Sequence, residues 1–139
     1  MQLFEMIQSV DSLPLAEELN KRASQANREM EVLVEVNLSG ETAKWGVGER
    51  DVAPLVRGIN GLSHLSFQGL MTMPPFFDDP EASRPYFVRL RRLGEEIVEA
   101  GLHPGPVELS MGMSNDFIVA IEEGATLVRV GTAIFGPRP

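Results

Sequence analysis

The chain has 139 residues, of which 43% are hydrophobic and 23% are charged. This composition excludes a wholly disordered chain, and the length fits a single domain over residues 1–139. Twenty acidic against 12 basic residues give a net charge of −8, which argues against a nucleic-acid partner because such proteins present basic faces. No apolar run reaches the length of a bilayer-spanning helix, so we expect no membrane partner. The chain contains no cysteine, which fits a reducing compartment and a cytoplasmic location.

Short β-like runs alternate with amphipathic helical stretches along the whole chain. Strands are predicted at 3–10, 31–38, 65–71, 107–109 and 126–130, and helices at 13–23, 52–59, 81–100 and 114–122. Asp11 or Ser12 is predicted to cap the first helix, because a short oxygen side chain satisfies free N–H groups there. Gly101 and Gly124 are predicted to end the last two helices.

This alternation is typical of parallel βαβ units. A doubly wound sheet and a (β/α) barrel both satisfy it, but short strands with long, glycine-rich βα connections favour the barrel. A closed eight-stranded barrel needs about 250 residues, so five strands cannot close one. The predicted fold is therefore α/β: a partial (β/α)8 TIM barrel, with an open five-stranded sheet as the alternative.

Ligands of parallel α/β proteins bind at the carboxyl ends of the strands. One loop there, Ser110–Asp116, contains a glycine and runs directly into a predicted helix. Glycine lets the backbone approach a ligand, and a helix start offers unpaired N–H groups to a phosphate. Ser114 could donate its hydroxyl to that phosphate, or it could simply be the helix N-cap.

The second loop at this edge follows Arg129, which interrupts an apolar strand. A cation in a buried run must meet a partner, because an unpaired buried charge is very costly. Gly131 and Thr132 then offer a backbone N–H and a hydroxyl. The two loops together could form a phosphate site, although Arg129 could also be an edge arginine paired with a glutamate.

The remaining candidates are weaker. The sequence contains no H-x-x-x-H pattern, carboxylate cluster or P-loop, so we expect no metal site. Glu35 and Glu41 could act as acid/base groups, but glutamates in strands and loops are usually solvated or paired. Lys44 is more typical of a surface lysine than of an imine former, because an imine-forming lysine needs a desolvated site.

The motifs ELSMGMS at 108–114 and VRVGTAIFG at 128–136 together resemble the signature of the YggS/PROSC family. These are pyridoxal phosphate-binding proteins of vitamin B6 homeostasis with an alanine racemase-like barrel. Supporting motifs occur in family order over essentially the whole chain: IQSVDS at 7–12, VEVN at 34–37, KWGV at 44–47 and GLMTM at 69–73.

The resemblance implies pyridoxal phosphate as the cofactor and assigns roles to individual residues. Ser114 and the backbone of Gly131 and Thr132 would hold the cofactor phosphate. Arg129 would face the pyridine nitrogen and keep it unprotonated, which weakens the ring as an electron sink and argues against vigorous carbanion chemistry. The pocket would be lined by Met73, Ser110 and Met111.

One departure from the family pattern concerns the lysine. Family members begin with a helix and three further strands, the first of which carries the lysine that forms an imine with the cofactor. This chain resembles strands 4–8, and neither of its two lysines, Lys21 and Lys44, matches that position. We therefore expect an N-terminally truncated, non-enzymatic protein that binds phosphate or pyridoxal phosphate non-covalently at most.

Two other functions are compatible with the sequence. A pyridoxal phosphate-dependent amino-acid racemase would need the missing lysine and an opposing proton donor. A catalytically silent half-barrel would expose unpaired strand edges at 3–10 and 126–130, and would self-associate through them.

Overall fold

The computed structural model describes residues 6–39 and 46–129. Five strands form one sheet: β1 (Met6–Val10), β2 (Met30–Glu35), β3 (Leu65–Met71), β4 (Glu108–Met113) and β5 (Leu127–Arg129). The helices are α1 (Leu13–Gln25), α2 (Glu49–Asn60), α3 (Arg84–Glu99), which a 3₁₀ turn at Pro80–Ser83 precedes, and α4 (Phe117–Glu122). None of the helices in the described ranges is long and apolar enough to cross a bilayer.

The order of the strands identifies the architecture. They lie side by side in chain order, β1-β2-β3-β4-β5, and every neighbouring pair is parallel. A doubly wound sheet reverses its strand order at a switch point, whereas a (β/α) barrel keeps chain order throughout. The prediction of a partial barrel is therefore confirmed, and the doubly wound alternative is wrong.

A single hydrogen bond shows how strongly the sheet curls. The Ser110 hydroxyl on β4 donates to the Gln8 side-chain oxygen on β1 over 2.6 Å. Since β2 and β3 lie between these strands, β1 and β4 would be about 14 Å apart in a flat sheet. The sheet is therefore curved, with Gln8 and Ser110 meeting across its concave face.

The helices pack against the opposite, convex face. Alternation along β2 turns Val32, Val34 and Val36 towards the helices, and all three are buried. The helices contribute matching apolar side chains to the same core, namely Val52, Val56 and Ile59 from α2 and Phe87 and Leu90 from α3. The hydrophobic core thus lies between sheet and helices, while the concave face carries polar side chains, Gln8 and Ser110 among them.

The predicted helix boundary signals are largely confirmed. The Ser12 hydroxyl accepts a hydrogen bond from the Leu15 N–H, at 3.2 Å, and caps α1. Gly101 and Gly124 follow the ends of α3 and α4 with φ of +75° and +103°. Such left-handed conformations favour glycine, which is why these two positions end their helices.

The region around β4 differs from the prediction. The strand extends to Met113, beyond the predicted residues 107–109, so Ser110 lies within a strand and not in a loop. The prediction that Ser114 opens the next helix is also wrong, because α4 begins at Phe117 with Asp116 at its N-cap position. The Asp116 carboxylate accepts from the Met113 N–H over 2.7 Å and so closes a turn before the helix starts.

Candidate functional site

Arg129 lies at the centre of the polar cluster on the concave face. It ends β5, and its register partner on β4 is Met113. Its half-buried guanidinium is held at two points: Nη1 donates to the Ser110 hydroxyl over 3.1 Å, and Nη2 donates to the Thr72 carbonyl over 3.4 Å. The side chain is thereby fixed by the middle of β4 and by the residue that follows the carboxyl end of β3. The carboxyl ends of the strands form the edge at which barrels bind ligands.

The third nitrogen of this guanidinium, Nε, is in a different situation from the other two. Nε of Arg129 is buried and has no hydrogen-bond partner among the described residues. A buried donor without an acceptor costs about 1–3 kcal/mol. A ligand with an acceptor atom at this position would remove that cost, which makes the Nε–H the clearest binding feature of the site.

Acidic groups surround the arginine. Glu35, at the end of β2, is only 6% exposed, and burial together with the charge of Asp11 raises its pKa, while Arg129 lowers it. Burial lowers the pKa of Arg129, against the opposing attraction of Glu35 and Asp116. The site therefore places one cation among carboxylates in a region partly shielded from water.

The segment after β2 folds back onto this edge of the sheet. The Val47 N–H donates to the Glu35 carbonyl over 2.9 Å, and the Gly46 N–H donates to the Asp11 carboxylate over 3.2 Å. Gly46 has a φ of +110°, and a Cβ there would lie 2.9 Å from the backbone nitrogen of Asn37. Only glycine fits so close a return of the chain, which brings residues 46 and 47 next to the backbone of β2.

The structure brings only some of the predicted site residues together. Ser110 and Arg129 are in direct contact, and Ser114 follows Met113 on the turn beside Arg129. Met73, one residue after Thr72, is 51% exposed at the same edge. Gly131 and Thr132, and with them part of the predicted phosphate site, lie outside the described residues.

Met111 occupies a different environment from the other predicted residues. It is fully buried in the hydrophobic core, and alternation along β4 turns it away from the face that carries Ser110. Its position makes it a packing residue behind the site. The motif predicts that Met111 lines the pocket, but a motif alone does not show which face of the strand each of its residues occupies.

Gln8 and Thr72 contribute to the site without having been predicted to do so. Thr72 offers its carbonyl to Arg129, and its own hydroxyl donates to the Val36 carbonyl over 2.8 Å. Gln8 is a polar side chain within an otherwise mostly apolar strand, and this is the signal by which it could have been found. Such a side chain inside a barrel strand needs a hydrogen-bond partner on the concave face.

A comparison with known protein families agrees with this geometry. The family model described as alanine racemase, N-terminal domain, matches residues 2–139. The chain belongs to this family. Among its curated relatives is the pyridoxal phosphate homeostasis protein of Aquifex aeolicus, which is 46% identical over 133 residues. The match covers 96% of this chain and 58% of that protein, and it confirms the resemblance to the YggS/PROSC family.

Solved structures show the same relationship. PipY of Synechococcus elongatus without pyridoxal phosphate is similar with a TM-score of 0.86 and 34% identity, over 96% of this chain and 62% of PipY. The structure of PipY with pyridoxal phosphate bound gives a TM-score of 0.84 and 33% identity. This match covers 96% of this chain and 61% of PipY. The chain thus spans 58–62% of the length of these relatives.

Proposed function

We propose that this chain is the part of a pyridoxal phosphate homeostasis protein that holds the cofactor's ring nitrogen and phosphate, and that it binds the cofactor without a covalent bond. The observation that carries the proposal is the buried Nε–H of Arg129, which has no acceptor among the described residues. The relatives named for pyridoxal phosphate homeostasis and the PipY structure with bound cofactor support it.

The chemistry of the arginine fits this cofactor. A guanidinium has only N–H donors and stays charged, so it can hydrogen-bond a pyridine nitrogen only when that nitrogen is an unprotonated acceptor. When bound, pyridoxal phosphate supplies an electron sink, and its strength depends on protonation of that nitrogen. Arg129 would keep the nitrogen unprotonated, which weakens the ring as an electron sink and agrees with storage or delivery of the cofactor.

The phosphate would bind beside Arg129. Ser114 lies on the turn after β4, and Gly131 and Thr132 come two and three residues after the last residue of β5 in the sequence. Barrels often build phosphate sites from such neighbouring terminal loops. In this proposal the Ser114 hydroxyl and the backbone N–H groups of Gly131 and Thr132 hold the phosphate.

The non-covalent mode rests on the two lysines of the chain, neither of which matches the imine-forming lysine of the family pattern. Lys21 is exposed on α1, in the outer helical layer and away from the concave face. Lys44 lies outside the described residues, and the other 137 residues contain no lysine. We therefore propose that binding depends on Arg129 and the phosphate site and not on an imine.

Titration of the full 139-residue chain with pyridoxal phosphate, followed by cofactor absorbance and protein fluorescence, tests the proposal. Arg129→Gln should weaken binding by about tenfold or more, because a hydrogen bond to a charged group contributes about 1.5–3 kcal/mol. Arg92→Gln is the matched control, since Arg92 is exposed on α3 and should leave the affinity unchanged. Equal affinity of wild type and Arg129→Gln would contradict the proposed role of Arg129.

Borohydride reduction of the same mixture, followed by peptide mass spectrometry, tests the non-covalent mode separately. We expect no stoichiometric pyridoxyl adduct on either lysine. A stoichiometric adduct on Lys44 would show that this lysine anchors the cofactor and would overturn the non-covalent mode. Measurable racemisation of alanine by the chain would overturn the non-enzymatic assignment.

A further inference from the structure

A chain of hydrogen bonds reaches Arg129 from the opposite end of the sheet. The Gln8 side-chain oxygen accepts from the Ser110 hydroxyl at 2.6 Å, and the same hydroxyl oxygen accepts from Arg129 Nη1 at 3.1 Å. Ser110 is fully buried, so its hydroxyl is shielded from water. The three side chains come from β1, β4 and β5, and the sheet curl brings them together.

The direction of each hydrogen bond follows from the chemistry of the groups. The guanidinium of Arg129 can only donate, so it uses a lone pair of the Ser110 oxygen. The single hydroxyl proton of Ser110 then needs an acceptor elsewhere, and the Gln8 carbonyl oxygen is that acceptor. Gln8 thus holds the Ser110 proton away from the arginine and turns a lone pair towards it.

This arrangement fixes the plane of the guanidinium. Nη1 is held by Ser110 and Nη2 by the Thr72 carbonyl, whereas Nε is the nitrogen of this group that has no partner among the described residues. Because the guanidinium is planar, two anchored nitrogens determine where the third N–H points. Losing the Ser110 anchor would let the plane rotate about the remaining contact.

We propose that Gln8 is a positioning residue for the cofactor: acting through Ser110, it orients Arg129 so that the Nε–H meets the ring nitrogen of pyridoxal phosphate. The inference rests on the proposed function. It assigns a role in ligand recognition to β1, a strand on the other side of the sheet from the proposed phosphate site.

The test compares pyridoxal phosphate with its analogue in which carbon replaces the ring nitrogen. The wild-type chain should bind pyridoxal phosphate about tenfold more tightly than the analogue, the range expected for a hydrogen bond to a charged group. Gln8→Leu should lose most of this preference by weakening only the binding of pyridoxal phosphate. Gln8→Glu keeps an acceptor for the Ser110 hydroxyl and should retain the preference.

Two further variants separate positioning from folding. Gln68→Leu is the matched control, since Gln68 is a half-buried glutamine on β3 that donates to the Ser66 hydroxyl over 2.6 Å. It should keep the full preference. Ser110→Ala removes the intermediate hydroxyl with little change in volume and should lose the preference as Gln8→Leu does, so it provides the test if Gln8→Leu does not fold.

The outcomes distinguish the inference from the proposed function. A wild-type chain that binds neither compound overturns the proposed function and the inference with it. A wild-type chain that binds both compounds equally overturns the contact between Arg129 and the ring nitrogen. A wild-type preference that survives in Gln8→Leu, or in Ser110→Ala where Gln8→Leu does not fold, overturns the role of Gln8 alone.

Discussion

At the scale of single residues, Glu35 is the acidic counterpart of Arg129. Its carboxyl is buried at the end of β2, and burial raises its pKa more than the attraction of Arg129 lowers it. A carboxyl with a raised pKa in the folded state binds its proton more tightly there than in the unfolded chain. The folded protein therefore loses stability as pH rises through the window between the ordinary and the raised pKa.

Glu35→Gln should remove this pH-dependent cost. At acid pH, where Glu35 is protonated, wild type and variant should differ little in Tm. Above the raised pKa the variant should become the more stable of the two, because it does not bury a charge. Thermal unfolding of both proteins over a series of pH values measures this, with Glu31→Gln on the same strand as the baseline for removing one negative charge. A Tm difference between wild type and Glu35→Gln that does not change with pH would contradict the raised pKa of Glu35.

At the scale of secondary-structure elements, the short helix α4 depends on contacts with α3. Six residues are too few for a stable isolated helix. Arg84 and Arg91 of α3 both reach the Glu123 carboxylate at the end of α4, each over 2.6 Å. These two arginines lower the pKa of Glu123, and its side chain is only 14% exposed. The ion pairs therefore hold α4 and the preceding Ser114 turn against the rest of the protein.

Glu123→Gln should loosen α4 while leaving the sheet intact. We expect faster amide hydrogen exchange in residues 117–122 and unchanged exchange in β2 and β3. The contribution of Glu123 is complete above the ordinary glutamate pKa and is lost as pH falls through its lowered value in the folded state. The effect of the substitution should therefore disappear at low pH. Glu122→Gln is the control, because Glu122 is 54% exposed and, within residues 6–39 and 46–129, forms an ion pair only with Arg84.

The elements also show which features the sequence could predict. Apolar periodicity is a local signal, and it predicts the helices and strands and thereby the carboxyl edge of the sheet. The hydrogen bond between Gln8 and Ser110 joins residues 102 positions apart and depends on sheet curvature, which no local pattern contains. The need for glycine at position 69 is equally invisible in the sequence, because it arises from the neighbouring strand: a Cβ there would lie 2.0 Å from the Glu108 carbonyl oxygen.

The start of α4 differs from the prediction because Ser114 and Asp116 are both plausible helix caps in the sequence. Only the hydrogen bond from the Met113 N–H to Asp116 decides between them.

At the scale of the whole molecule, the half-barrel has two sheet ends. Among the described strands, β1 and β5 each pair with one neighbour only. An unpaired strand edge is a template for pairing with another chain. The net charge of −8 opposes association between copies, and this repulsion is screened by salt over a Debye length of about 8 Å at physiological ionic strength. Edge pairing and charge repulsion should therefore compete, with salt shifting the balance towards association.

We predict that the chain self-associates reversibly and more strongly at higher salt. Sedimentation velocity over a range of protein and salt concentrations measures this.

Ser9→Lys should weaken association, because Ser9 is exposed on the edge strand β1 and an edge lysine disfavours pairing. Ser24→Lys adds the same charge on the exposed surface of α1 and should slightly strengthen association by reducing the net negative charge. Since the two substitutions change the net charge equally, opposite effects can arise only from position. A monomer under all conditions, or the same response of both variants, would show that the edge of β1 does not mediate association.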